Sequence, residues 1–243
     1  MAQSYIITTK IAGLDIHGFS SFEQLLAEII TKGNKIIPGF AVAINPEKIM
    51  LCQQDTHIRQ LLESATIRYC DGIGVLKLVE KRSATVLARI PGCELWEHLM
   101  RQTVAMQIPV FVLGGAPEVN HKTVLTLTQG LDVNVVDHQD GFYHNEEQVI
   151  QKIKKSQAKI VTVAMGSPKQ EEFIVKCMAQ HPDCFYMGVG GTYDVFTGEQ
   201  KRAPNLFRNN GLEWLYRLIN QPTRITRHVR LIKFMYLSIL GRI

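Results

Sequence analysis

The sequence predicts an α/β protein: a parallel sheet covered by helices on both faces, followed by a basic helical appendage. Three observations carry that expectation. Short apolar runs of strand type recur along the chain, amphipathic helix-period segments separate them, and the pattern changes after Phe196. The strand runs are FAVAIN (40–45), IRYC (67–70), VFVLGG (110–115), VNVVD (133–137), KIVTVAMG (159–166) and FYMGVGG (185–191). The helical segments are EKIMLCQQDTHIRQLLESA (47–65), GCELWEHLMRQTVAM (92–106), PEVNHKTVLTLTQ (117–129), EEQVIQKIKKSQ (146–157) and PKQEEFIVKCMAQ (168–180). Strand–helix alternation of this kind builds parallel sheets. Beyond the loop TGEQKRAP the remaining residues read as two helices separated near Pro222, which divides the chain into a body of 1–195 and an appendage of 196–243.

Composition narrows the function classes. A hydrophobic share of 46% over 243 residues supports a sizeable core and excludes general disorder. The five cysteines, Cys52, Cys70, Cys93, Cys177 and Cys184, form no CxxC pair and sit mostly in apolar runs, which predicts reduced core thiols and a cytoplasmic protein. The N-terminal residues lack the pattern of a signal peptide, and no run approaches the roughly 18 apolar residues of a membrane span. The formal charge of +5 is unevenly placed: residues 201–243 hold nine Lys/Arg against Glu213 alone, so the tail is +8 and the first 200 residues are −3. Such a tail suits an anionic partner, or else a solvated helix face.

In open parallel sheets ligands bind beyond the carboxyl ends of the strands. Five such ends carry small or polar residues: Asn45-Pro46-Glu47, Asp71-Gly72-Ile73-Gly74, Gly114-Gly115-Ala116, Ser167-Pro168-Lys169-Gln170 and Gly190-Gly191-Thr192-Tyr193-Asp194. Ser167, Pro168 and Gln170 have the spacing of a capping box, with Ser167 as N-cap. The same helix start could also be an anion site from which Lys169 or Gln170 reaches phosphate or sugar oxygens. The two Gly-Gly pairs permit close backbone approach but lack the GxGxxG dinucleotide spacing, which argues against a nicotinamide enzyme. Asp71, flanked by a strand and two glycines, is the most open acid, although an Asp-Gly turn explains it too; Asp194 has the same ambiguity. There is no Asp-x-Asp, no HExxH and no Cys/His cluster, so no metal site is expected, and the eight histidines are dispersed.

Taken in order, AINPEK, YCDGIGV, RIPGCELWEHL, VFVLGGAPEV, QDGFY, VAMGSPKQEEF, MGVGGTYDVFTGEQKRAP and GLEWLYRL…QPTRI closely resemble the WecG/TagA/CpsF family of bacterial glycosyltransferases, from about Phe40 to Arg230. Within that family they resemble most the enterobacterial branch that transfers N-acetyl-D-mannosaminuronic acid. The resemblance implies a Rossmann-like fold and inverting, metal-independent transfer from a UDP-sugar to polyprenyl-pyrophosphate-linked GlcNAc, without a cofactor. By the same carry-over Asp71 is the catalytic base, Arg89 of ARIPG assists the departing UDP, and Asn45 and Gln170 line opposite walls of the donor pocket. The appendage brings Arg217, Arg224 and Arg227 to the diphosphate and docks the enzyme peripherally on the inner face of the inner membrane. Arg224, Arg227, Arg230 and Lys233 interleaved with Val229, Leu231, Phe234, Leu237 and Leu240 fit a basic interfacial helix. Trp214 and Tyr216 suit either interfacial anchors or core contacts. Nucleic acid is not expected as a partner, and a homodimer is left open. Ala43 stands where teichoic-acid members carry a Thr, and a cation for the uronate remains to be chosen among Lys169, Lys201 and Arg202.

Overall fold

The computed structural model describes residues 6–33, 35–204, 206–207, 215–216 and 225–243, with side chains in 225–228 excepted. Eight strands form one sheet in the order β1-β2-β4-β3-β8-β7-β5-β6. They are β1 (Ile7–Ile11), β2 (Leu14–Gly18), β3 (Gly39–Ile44), β4 (Ile67–Cys70), β5 (Val110–Gly114), β6 (Val135–Gln139), β7 (Ile160–Ala164) and β8 (Phe185–Gly188). All six expected strands are present, β6 beginning two residues later than its apolar run. Among the described residues, all pairings between these strands are parallel except β1 with β2.

That antiparallel pair is an addition to the expected sheet. Ile11 faces Leu14 across a two-residue turn whose central residues, Ala12 and Gly13, have φ of 52° and 84°. Positive φ at both positions matches the right-handed twist of a tight hairpin. ITTKI and LDIHG alternate instead of running apolar, because this edge is covered on fewer sides than the central strands.

The central strands are apolar throughout because they separate two cores. Phe40, Val42 and Ile44 of β3 enter one cluster, with Leu113 of β5, Val163 of β7 and Tyr186 of β8, whereas Ala41, Tyr69, Val112 and Met187 enter the other. The first core is closed by α2 (Pro46–Gln54), α3 (Thr56–Glu63), α4 (Ile73–Ser83), α7 (Glu146–Ser156) and α8 (Lys169–Gln180). The second is closed by α1 (Phe22–Ala27), α5 (Gly92–Val104), α6 (Pro117–Leu125) and α9 (Thr192–Phe196).

The expected helix over 47–65 is two helices. Asp55 leaves the helical region at φ −133° and ψ 114°, and its carboxylate accepts from the N–H groups of His57 (2.8 Å) and Ile58 (3.2 Å), capping α3. The expected 117–129 helix ends in a π-helical turn over Thr126–Gly130. Among the cysteines Cys52, Cys70, Cys177 and Cys184 are buried and none is bonded to another. Burial pushes the Cys70 and Cys184 thiols up to about 12.

In the tail, α10 (Ile225–Ile239) is the second expected helix, while the first lies largely outside the described residues. The apolar stripe expected to face a membrane is divided. Phe234 is buried in the first core, Leu237 packs against that core and Leu231 lines a cleft, so these three belong to the body. The exposed apolar residues are Val229, Ile232, Met235, Tyr236, Ile239 and Leu240, on the other face at spacings of three and four. Among the described residues no helix is long and apolar enough to cross a membrane.

Candidate active site

A cleft of about 460 Å³ opens at the carboxyl ends of β3, β4, β7 and β8, where the chain turns from one half of the sheet to the other. Helix starts converge there. Asn45 caps α2 through its Oδ1, which accepts from Lys48 N (2.9 Å); α4 begins at the uncapped Gly72; and α5 begins at Gly92 after Pro91. Free N–H groups and the positive ends of helix dipoles make such a cleft hospitable to phosphate oxygens. Gly72 and Gly74 keep it compact, since a Cβ would stand 3.0 Å from Pro46 Cδ at the first and 3.3 Å from Phe234 Cε1 at the second.

Asp71 lies at the centre of this wall. Its backbone N–H donates to Ile44 O (3.1 Å), extending the β3–β4 ladder by one bond, and its Oδ1 accepts from Gly92 N (2.9 Å), the first amide of α5. One carboxylate oxygen is thereby fixed by backbone while the residue itself remains partly exposed to the cleft. Arg89 also lines the cleft, from the segment leading into α5. So do Arg202, ion-paired with Glu94, and Leu231 of α10, next to the Arg230–Glu47 pair (3.2 Å). The helix thus borders the cleft and is tied to it by charge.

Beneath the opposite wall lies a polar relay. Gln170 Oε1 accepts from Gly190 N (3.0 Å), and Gln170 Nε2 donates to Glu171 Oε1 (3.0 Å), which also receives Lys48 Nζ (2.8 Å). Lys48 and Glu171 have side-chain exposures of only 8% and 1%, so each charge depends on the other. Gly188 makes the relay possible: a Cβ there would stand 2.6 Å from Gln170 Nε2. The capping box expected at SPKQ is therefore corrected. Ser167 does not cap; α8 starts at Lys169 with Pro168 as its N-cap, and the buried Gln170 instead bonds Gly190, just beyond β8, and the neighbouring Glu171.

Of the residues singled out in the sequence, Asn45, Asp71, Arg89, Gln170, Gly190 and Gly191 line the cleft together. Gly114 and Gly115 do not. Gly114 has φ +100° and a Cβ there would stand 2.3 Å from Ala164 O, while Gly115 N donates to that same oxygen (2.9 Å), so this pair serves strand packing. Lys169 is exposed outside the cleft, and Asp194 stands behind Gly191, its carbonyl accepting from Gln200 N (2.8 Å). Neither Lys169 nor Lys201 lines the cleft, whereas Arg202 does. Arg217 and Arg224 lie outside the described residues, as does the side chain of Arg227; Trp214 is outside them too. Sequence reasoning missed Lys48, Glu171 and Tyr69. Their positions in AINPEK, KQEEF and RYCDG read as ordinary helix or strand residues, and only the tertiary fold pairs Lys48 with Glu171 and brings Tyr69 to the cleft.

Among the described residues no group of three His, Cys, Asp or Glu side chains is placed to hold a metal ion. A parallel sheet with a carboxylate, cleft-lining arginines and helix N-termini at one set of strand ends has the layout that suits anionic ligands. The chain belongs to the WecG/TagA/CpsF family of glycosyl transferases, whose sequence model matches residues 9–243. It is a glycosyltransferase of the UDP-sugar type, acting between a sugar donor and an acceptor.

Proposed function

We propose that this chain transfers N-acetyl-D-mannosaminuronic acid from its UDP donor to the 4-hydroxyl of GlcNAc-pyrophosphoryl-undecaprenol, with inversion, as in the synthesis of enterobacterial common antigen. The observation that carries the reading is Asp71: a backbone-anchored carboxylate facing a cleft that helix N-termini surround. Asp71 takes the proton of the incoming hydroxyl as its oxygen bonds to the anomeric carbon, and the bond from that carbon to the UDP oxygen breaks on the opposite face. The charge gathering on UDP is met by Arg89 and the helix starts. Asn45, Gln170, Gly190 and Gly191 shape the donor side, and Arg217, Arg224 and Arg227 complete the diphosphate site from the appendage. Arg202, the cleft-lining member of the three candidate cations, reads the uronate carboxylate.

The exposed apolar face of α10, with the exposed Lys233 beside it, supports peripheral docking on an anionic membrane that presents the lipid acceptor. UDP-N-acetylmannosamine transfer to the same acceptor is the second reading; Ala43 in place of a Thr weighs on the donor side without deciding it. Transfer from each donor onto GlcNAc-pyrophosphoryl lipid in detergent with EDTA separates the two. Product from the uronate donor alone is expected, and product from N-acetylmannosamine alone would replace the proposed donor.

A further inference from the structure

Among the described residues three tyrosines are fully buried: Tyr69, Tyr186 and Tyr193. Two have satisfied hydroxyls, Tyr186 donating to His181 O (2.7 Å) and Tyr193 to Thr162 O (3.0 Å). The Tyr69 hydroxyl has no hydrogen-bond partner among the described residues, and of the three only Tyr69 lines the cleft. A buried hydroxyl without a partner costs stability, and phenylalanine would fill the same space without that cost. Folding therefore does not account for the oxygen.

Its surroundings do. Tyr69 precedes Asp71 by two residues and so shares its face of the strand. It pairs in register with Ala43, whose methyl offers no polar partner. The point where a Cβ on Gly92 would stand is 2.9 Å from the Tyr69 hydroxyl and 3.9 Å from Asp71 Oδ1. Glycine at 92 thus lets both oxygens converge on one point beneath the cleft floor. Burial, reinforced by the negative charge of Asp71, pushes the phenol well above its ordinary pKa, so it keeps its proton and acts as a donor.

We propose that the Tyr69 hydroxyl donates a hydrogen bond to a sugar oxygen of the ligand seated over Gly92 beside Asp71, fixing the ring for proton transfer. The inference rests on the transferase reading and adds a substrate-contacting residue to it. The hydroxyl is shut off from solvent, so the contact forms as the ligand settles onto the floor; catalytic hydrogen bonds commonly tighten in this way on binding. Donor and acceptor both carry such a sugar, and the two are told apart by measuring each.

The test is Tyr69→Phe, which removes one atom and leaves packing intact. Calorimetric titration with UDP-N-acetylmannosaminuronate and with a short-chain prenyl-pyrophosphoryl-GlcNAc is run alongside thermal melting and transfer. The expected result is about tenfold weaker binding of one probe, a matching rise in its KM, and a melting midpoint unchanged or raised. Dissociation constants within twofold of wild type for both probes overturn the proposal, as does a lowered midpoint, which would mark the hydroxyl as structural. A wild-type chain that binds a probe but transfers nothing defeats the transferase reading while leaving Tyr69 to be judged on binding; one that binds neither probe defeats both.

Discussion

Gly114-Gly115 and Gly190-Gly191 each follow a buried parallel strand, yet at Gly114 a Cβ would stand 2.3 Å from Ala164 O, whereas at Gly190 nothing lies within 4 Å. The first pair sits where β5 and β7 close on each other; the second borders the cleft, where β8 parts from its covering helices. One Gly-Gly is needed because backbone is near, the other because space is kept open. The same dipeptide thus does two jobs, and the sheet order decides which.

This contrast can be broken by substitution. The largest effect is expected beneath the open end, in the buried pair that supports it: Lys48→Met removes the cationic partner of the buried Glu171, costing about 3–5 kcal/mol in denaturant unfolding. At the closed end Gly114→Ala adds a backbone clash to a left-handed φ, so a loss of roughly 2–4 kcal/mol is expected, with KM unchanged in whatever remains folded. Gly190→Ala, with φ +54° and free space around it, should cost only about 1 kcal/mol and weaken UDP-sugar binding instead. Equal stability losses at the two glycines would erase the distinction.

A third region gives a smaller effect of another kind. At the hairpin edge burial lowers His17 to about 4, with Arg68 contributing, and its Nδ1 accepts from Arg68 N (3.2 Å). The unfolded chain then binds the proton that the folded one refuses, so stability falls as pH drops from about 6.5 to 4 and levels off below. Allowing for solvent screening of this partly exposed ring, the loss is about 1–2 kcal/mol, and His17→Gln should flatten it in acid titrations of stability. Smallest for folding is Ile232→Ser with Ile239→Ser on α10, side chains 65% and 81% exposed. Stability should stay within about 0.5 kcal/mol while retention on anionic vesicles drops about tenfold. Undiminished retention would remove the membrane role of this face.

Much of this was legible in the residues. The five central strands β3, β4, β5, β7 and β8 show as apolar runs because both faces of each are largely buried, the edge strand β6 is only half-buried, and the strand-end rule brought Asn45, Asp71, Gln170, Gly190 and Gly191 to one cleft. The hairpin escaped notice because Ile7–Ile11 alternates and is short, and its Ala-Gly turn is a weak signal. Helix α4 was hidden by Gly72 and Gly74, which read as turn residues although Gly74 makes room for Phe234, distant in sequence. The helical period of the tail was visible, but two apolar faces on one helix cannot be ranked without knowing that Phe234 enters the core. Nothing local marks Lys48 and Glu171 as partners 123 residues apart, or Tyr69 as a hydroxyl without one.

The central claim is that the cleft carries out sugar transfer with Asp71 as its base. The most direct measurement is the single-turnover transfer rate of Asp71→Asn with saturating UDP-N-acetylmannosaminuronate and lipid-linked GlcNAc, beside equilibrium binding of the donor. A rate lower by about a hundredfold to ten-thousandfold is expected, with donor binding within about threefold of wild type. A transfer rate equal to wild type would contradict it and move the chemistry away from the end of β4.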